Sequence, residues 1–276
     1  MDYVEFRRVR RVLTVYAIVL AIGAILVVAS IHAASVQTNH GHFTTTVRTT
    51  VRLDAPAHRH SAHEAMQQLS TPLGLILGIA GYIAVTFATI LASSLNKEND
   101  GANFVFTKPI SRERLALQYM AIDAAGILSA FALACGAIFG AVAALGFMSR
   151  IYGDTQALWI GALGLGIAFM WYGIMQAVTA SYRGKGGALV GWSWAVFGVL
   201  GFAQSATYLG PIVGAVVRVI NLFNPIAYFS GLVSSGRAAS AQSVLGLALE
   251  PRVAIAWCIA LVGCALAIRI WKRVEI

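Results

Sequence analysis

The sequence carries little charge. Asp, Glu, Lys and Arg together make up 11% of its 276 residues, whereas a soluble domain carries about 25%. Hydrophobic residues make up 58% of the chain, and the mean hydropathy is +0.75. One helical crossing of a bilayer needs about 20 apolar residues, so the length allows about six crossings joined by short loops. This composition indicates a membrane protein and excludes a sizeable soluble domain.

Catalytic and redox motifs are also missing. The three cysteines lie in apolar runs without C-x-x-C spacing, which excludes a disulfide framework and a cysteine zinc site. The P-loop, the G-x-S-x-G elbow and the H-E-x-x-H zinc motif are absent. All six histidines precede the second apolar run. We therefore predict no catalytic residue and no cofactor bound by this chain, and an intramembrane enzyme is the least favoured class.

Six apolar runs are long enough to span a membrane, and they predict an all-α membrane protein with six transmembrane helices. Arginines interleaved with apolar residues in 1–11 predict a separate N-terminal helix lying in the cytoplasmic interface. The runs are residues 12–34, 73–95, 117–148, 157–181, 187–209 and 252–270.

Positive charge predicts the orientation. With six spans, the inner segments hold 13 Lys and Arg and the outer segments hold 7, so both termini are expected in the cytoplasm. The net charge of +9 then reflects basic inner loops beside anionic headgroups rather than binding to nucleic acid.

Residues 211–235 leave two topologies open. A seventh span over 211–233 would place the C-terminus outside. Asn221 and the Asn224-Pro225 pair interrupt that segment, so a re-entrant pair of short outer helices between spans five and six is favoured.

The outer loop, residues 35–72, holds most of the histidines. Its alternating pattern in 46–53 predicts a strand, and the S-x-x-E spacing predicts a helix starting at Ser61. Pro72 is expected at the first position of the second span. No metal site is predicted, because no cysteine or carboxylate cluster accompanies the histidines, although imidazoles can bind zinc or copper. The candidate ligands are His40, His42, His58, His60 and His63.

Asp123 is the single carboxylate inside a predicted span. Intramembrane carboxylates mark ion pathways or pair with basic residues. Pairing with a basic residue of the inner surface is favoured here over a proton or cation site. Gln176 is the other member of this possible intramembrane polar site.

The first inner loop, residues 96–114, is long and patterned. Acidic residues and a glycine end the second span, two phenylalanines form an apolar face, a proline breaks the chain, and Ser111 caps the next helix. Such an amphipathic element suits contact with a cytosolic partner, whereas a plain solvated basic loop remains the alternative. The residues concerned are Glu98, Asp100, Gly101, Phe104, Phe106, Lys108, Pro109, Ser111 and Arg112.

In this loop the chain resembles the permease subunits of ABC-2 (type V exporter) ABC transporters. Glu98, Gly101 and the Pro109-Ile110-Ser111-Arg112 turn carry the resemblance, and the six-span layout with Asn224-Pro225 is similar. The resemblance implies a subunit of the bacterial inner membrane that dimerises with a second copy of the permease. It further implies that loop 96–114 is a coupling helix docked on separate ATPase subunits, which hold ATP and Mg²⁺, and that the complex exports or extracts an unidentified substrate.

Two other functions stay open. One is a membrane assembly or binding protein that uses its histidine-containing outer loop for a metal or a periplasmic partner. The other is an ion-coupled secondary carrier that depends on Asp123.

Overall fold

The computed structural model describes residues 2–40, 72–94, 112–151, 155–179, 186–203, 211–229 and 249–273. Within these ranges all regular structure is helical, with one short 3-10 turn at Met148–Arg150 and no strand. The helices are α1 (Asp2–His40), α2 (Pro72–Ser94), α3 (Arg112–Ala144), α4 (Thr155–Thr179), α5 (Gly186–Ala203), α6 (Pro211–Asn221), α7 (Pro225–Phe229) and α8 (Leu249–Arg273).

The protein has the helices of a multi-pass membrane protein. Five of the described helices, α1 to α4 and α8, are long and apolar enough to cross a bilayer. The predicted span 187–209 corresponds to α5, which has 18 described residues and a shorter apolar segment, Ala188–Val199. The all-helical membrane class is therefore confirmed, whereas the sixth crossing stays a prediction.

The prediction of a separate N-terminal interfacial helix is wrong. Asp2–His40 is one uninterrupted helix of 39 residues. Its first turns pack against the other helices, because Arg8 and Val9 are both buried there. No proline lies in this stretch to break the helix between the basic segment and the apolar run.

The core is built around α4, which packs between α2 and α8. Glycines permit the closest approaches. A Cβ atom placed on Gly81 would lie 2.4 Å from the Cα of Gly164, and one placed on Gly263 would lie 2.7 Å from the carbonyl carbon of Gly173. Direct backbone contact of this kind is typical of membrane helices, which gain little hydrophobic energy from packing on each other.

The start of α3 and the end of α8 lie at one end of the bundle. Lys272 donates to the Glu113 carboxylate over 2.7 Å, and the rings of Tyr119 and Trp271 are 6.1 Å apart. The start of α1 is at the same end, since Arg8 contacts α3. The two ends of the described chain thus share one end of the bundle.

The segment that left two topologies open is divided into two short helices, and both the re-entrant pair and the seventh span stay predictions. Residues 211–229 form two helices of 11 and 5 residues, and neither reaches the length of about 20 residues that a crossing needs. The predicted break in front of Pro225 is confirmed.

Two helix starts follow the sequence prediction. α2 begins at Pro72, as expected, and α3 begins at Arg112, directly after Ser111. The predicted strand at 46–53, the helix from Ser61 and loop residues 96–111 lie outside the described residues.

Candidate functional site

A buried ion pair joins α1 to α3. The Nη2 atom of Arg8 lies 2.5 Å from the Oδ1 atom of Asp123, and the two residues are 6% and 0% exposed. One turn further along α3, a Cβ atom placed on Gly126 would lie 2.7 Å from the Cγ1 of Val9. The glycine thus leaves room for α1 to approach α3 closely beside the ion pair.

A third helix completes this site. The hydroxyl of Tyr172 on α4 donates to the Oδ2 atom of Asp123 over 2.7 Å, and Tyr172 is 1% exposed. Each carboxylate oxygen therefore has its own donor, from a different helix. A buried charge is costly unless it is paired and hydrogen-bonded, so this cluster stabilises one arrangement of α1, α3 and α4.

Gln176 lies one turn beyond Tyr172 on α4 and is 2% exposed. Its Nε2 atom has no hydrogen-bond partner in the described part of the chain. No hydrogen bond links it to Asp123 among the described residues, whereas Tyr172 does make that link. The favoured pairing of Asp123 with a basic residue is present, and the partner is Arg8. The contact with Tyr172 was not anticipated from the sequence.

An aromatic cluster joins α2, α4 and α5. The Thr89 Oγ1 atom accepts hydrogen bonds from Trp171 Nε1 at 2.8 Å and Trp194 Nε1 at 3.2 Å. The same hydroxyl donates to the Val85 carbonyl over 2.8 Å. The ring centroids of Trp171 and Trp194 are 5.2 Å apart. One threonine thus satisfies two indole donors and fixes α5 against the core.

The break between α6 and α7 is held by polar side chains. The Asn224 Nδ2 atom donates to the Phe197 carbonyl at 3.0 Å and to Asn221 Oδ1 at 2.8 Å. Its Oδ1 atom accepts from the Ile226 amide over 3.0 Å, which caps α7. The Tyr228 hydroxyl donates to a carbonyl in the break over 2.7 Å. The interrupted backbone therefore has partners inside the protein.

The structure describes the candidate coupling loop only from Arg112 onward. Arg112 is the first residue of α3, and its neighbour Glu113 pairs with Lys272 of α8. The other predicted residues of this loop lie outside the described ranges. They are Glu98, Asp100, Gly101, Phe104, Phe106, Lys108, Pro109 and Ser111.

The histidine prediction falls largely outside the described chain. His40 is the last residue of α1, and His42, His58, His60 and His63 belong to the undescribed segment that follows. In the described ranges, no group of three or more His, Cys, Asp or Glu side chains gathers as metal ligands.

Comparisons with known proteins add no identification. No family model, no curated protein and no solved structure matches this chain.

Proposed function

We propose that the chain is the membrane-spanning permease subunit of an ABC transporter. In this proposal it dimerises with a second copy and is coupled to separate ATPase subunits, which bind ATP and Mg²⁺, to export or extract a substrate across a bacterial inner membrane. The support comes from the patterned loop 96–114 and from a helical, multi-pass fold that suits a transport subunit.

The observation that carries the proposal is that α3 contacts three other helices through buried or charged side chains. The loop runs directly into α3 at Arg112. α3 is linked to α8 through Glu113 and Lys272, and to α1 and α4 through Asp123. A displacement of the loop by the closing ATPase would therefore move four helices together, as rigid-body transitions require.

The α6–α7 segment supports the same assignment. Asn221 and Asn224 are both 0% exposed, and Asn224 satisfies the broken backbone as described above. Irregular backbone is tolerated at membrane depth where it is buried in protein. A re-entrant outer pair is thus physically permitted at this position.

The proposal is tested by purifying the tagged full-length chain from its native host in mild detergent and measuring ATP hydrolysis in the eluate. We expect a P-loop ATPase to co-purify in a fixed ratio. Arg112→Glu should abolish the stimulation of its activity by the permease, because it reverses the charge where the loop enters α3.

The matched control is Arg269→Glu. Arg269 is exposed on α8, so this variant makes the same charge change away from the loop. We expect Arg269→Glu to retain stimulation. Equal stimulation from Arg112→Glu and the wild type would contradict the coupling role.

An ion-coupled carrier is the second candidate, because Asp123 is a fully buried intramembrane carboxylate. Its two oxygens already have Arg8 and Tyr172 as partners, which favours a structural role. Transport by proteoliposomes that contain this chain alone, lost in Asp123→Asn, would replace the ABC proposal with the carrier.

A further inference from the structure

The arginines near the start of α1 differ in burial. Arg8 is buried against α3 with Val9, and Tyr16, eight residues after Arg8, continues this face. Arg7, Arg10 and Arg11 are exposed. Their spacing of three and four residues places them side by side on one face, turned away from the bundle.

The exposed arginine face continues into an exposed aliphatic stripe. Starting from Arg11, side chains at further steps of three or four residues are Val15, Ile18, Ile22 and Ile25, which are 62%, 54%, 52% and 67% exposed. Ile22 lies about 16 Å along the helix from Arg11. This length equals one leaflet of a hydrocarbon core of about 30 Å.

The three arginines have no acidic partner within the described ranges. The described ion pairs at this end of the bundle use Arg8 with Asp123 and Lys272 with Glu113. Guanidinium groups bind phosphate oxygens through two parallel hydrogen bonds. A cluster of three such groups at the end of an aliphatic stripe is opposite in charge to an anionic phospholipid headgroup, and the stripe matches the length of its acyl chains.

We propose that this face of α1, with Arg7, Arg10 and Arg11 at the headgroup and Ile18 and Ile22 along the acyl chains, is a binding site for an anionic phospholipid. The lipid contacts the face of α1 that points away from the bundle, whereas the Arg8–Asp123 pair fixes the face that packs against α3. Lipid binding at this site does not require coupling to an ATPase. Its test is therefore independent of the test of the proposed transport function.

The test reconstitutes the full chain into vesicles of equal phosphatidylglycerol and phosphatidylcholine, releases it, and counts retained lipids by native mass spectrometry. We expect the wild type to retain phosphatidylglycerol in preference to phosphatidylcholine. Replacing Arg7, Arg10 and Arg11 by Gln should lower this preference by about fivefold for each arginine. The triple Lys variant keeps the charge and should retain most of the preference.

The matched control is Arg114→Gln with Arg269→Gln, which removes two exposed positive charges on α3 and α8. We expect this double variant to retain the wild-type preference. An equal loss per charge in the control would show that net charge alone attracts the lipid and would overturn the site.

Two further results would also overturn it. One is a wild type without preference for phosphatidylglycerol. The other is displacement of the lipid by millimolar inorganic phosphate, which would assign the arginines to a free anion. Because the substituted side chains are exposed, the variants should elute from size exclusion as the wild type does.

Discussion

Asp123 on α3 joins three helices, because it bonds to Arg8 of α1 and to Tyr172 of α4. Arg8 and Tyr172 lie 115 and 49 residues from it in the sequence, so the cluster ties together segments that are distant along the chain. Removing one partner of a buried ion pair leaves the other charge without compensation. The cluster therefore gives sharp predictions for single and double substitutions.

Asp123→Asn should lower the free energy of unfolding by about 3 kcal/mol or more, because it leaves the Arg8 guanidinium buried beside a neutral amide. The measurement is the thermal midpoint of the detergent-solubilised chain, followed by fluorescence-detected size exclusion. The double variant Arg8→Met with Asp123→Leu removes both charges and should recover most of the loss. The single variants Arg8→Met and Asp123→Leu are measured beside it. If the double variant loses as much stability as the sum of these two single losses, the ion pair is not the cause.

Thr89→Val should destabilise the chain by about 2 kcal/mol or more, because two indole N–H groups lose their acceptor. The same thermal assay applies. Thr86→Val is the matched control on the same helix, since the exposed Thr86 hydroxyl donates to the Ile83 carbonyl of its own helix and accepts no indole N–H among the described residues. Similar midpoints for the two variants would refute the role assigned to Thr89.

The sequence contained part of this residue-scale information. The solitary carboxylate in an apolar run predicted an intramembrane ion pair with an inner basic residue. Arg8 was also recognisable in principle, because among the four arginines it alone shares a helix face with Val12 and Tyr16 at four-residue spacing. Tyr172 gave no such signal, since its contact with Asp123 depends on how α3 and α4 pack.

At the scale of helices, two glycine contacts set the spacing of α2, α4 and α8. Gly81 meets Gly164, and Gly173 meets Gly263, with no room for a Cβ atom. The sequence showed abundant glycine, 27 residues in all, without indicating which ones touch. Gly136 and Gly140, which have the spacing of a contact motif, meet no neighbour within 4 Å among the described residues.

Gly81→Ala should therefore force α2 away from α4 and lower the thermal midpoint strongly. Gly136→Ala is the control on α3. It should be neutral or stabilising by up to about 1 kcal/mol, because Ala is the better helix former. Equal effects of the two variants would show that helix propensity, and not the α2–α4 contact, governs stability.

Helix boundaries were predictable where a local signal sets them. Pro72 starts α2, because the N–H that proline lacks would have no partner at the first helical position. Asn224-Pro225 marks the break between α6 and α7. The prediction failed at the chain's start, where amphipathic patterning suggested an interfacial helix. There the buried contact between Arg8 and Asp123 holds the first turns of α1 against α3 instead.

At the scale of the whole molecule, the start of α1, the start of α3 and the end of α8 lie together. This arrangement fits an even number of crossings. The candidate coupling loop directly precedes the start of α3 in the sequence. The number of apolar runs was readable from the sequence, whereas the neighbours of each helix were not, because nearly all runs are apolar on every face.

A shared end gives a topology prediction. Cysteines introduced at Asp2 and at Ile276, in a background without Cys135, Cys258 and Cys264, should both react with an impermeant maleimide only in inverted vesicles, which expose the cytoplasmic face. Right-side-out cells should protect both positions. Opposite accessibility of the two positions would contradict the shared end of α1 and α8.

The central proposal is that loop 96–114 docks on a separate ATPase subunit. The most direct test places a single cysteine at Phe104 in the same cysteine-free background, labels it with benzophenone maleimide, and irradiates the complex purified from native membranes. We expect a covalent adduct with a P-loop ATPase at Phe104→Cys and none at His42→Cys in the predicted outer loop. Absence of an adduct at Phe104→Cys, or an equal adduct at His42→Cys, would contradict the claim.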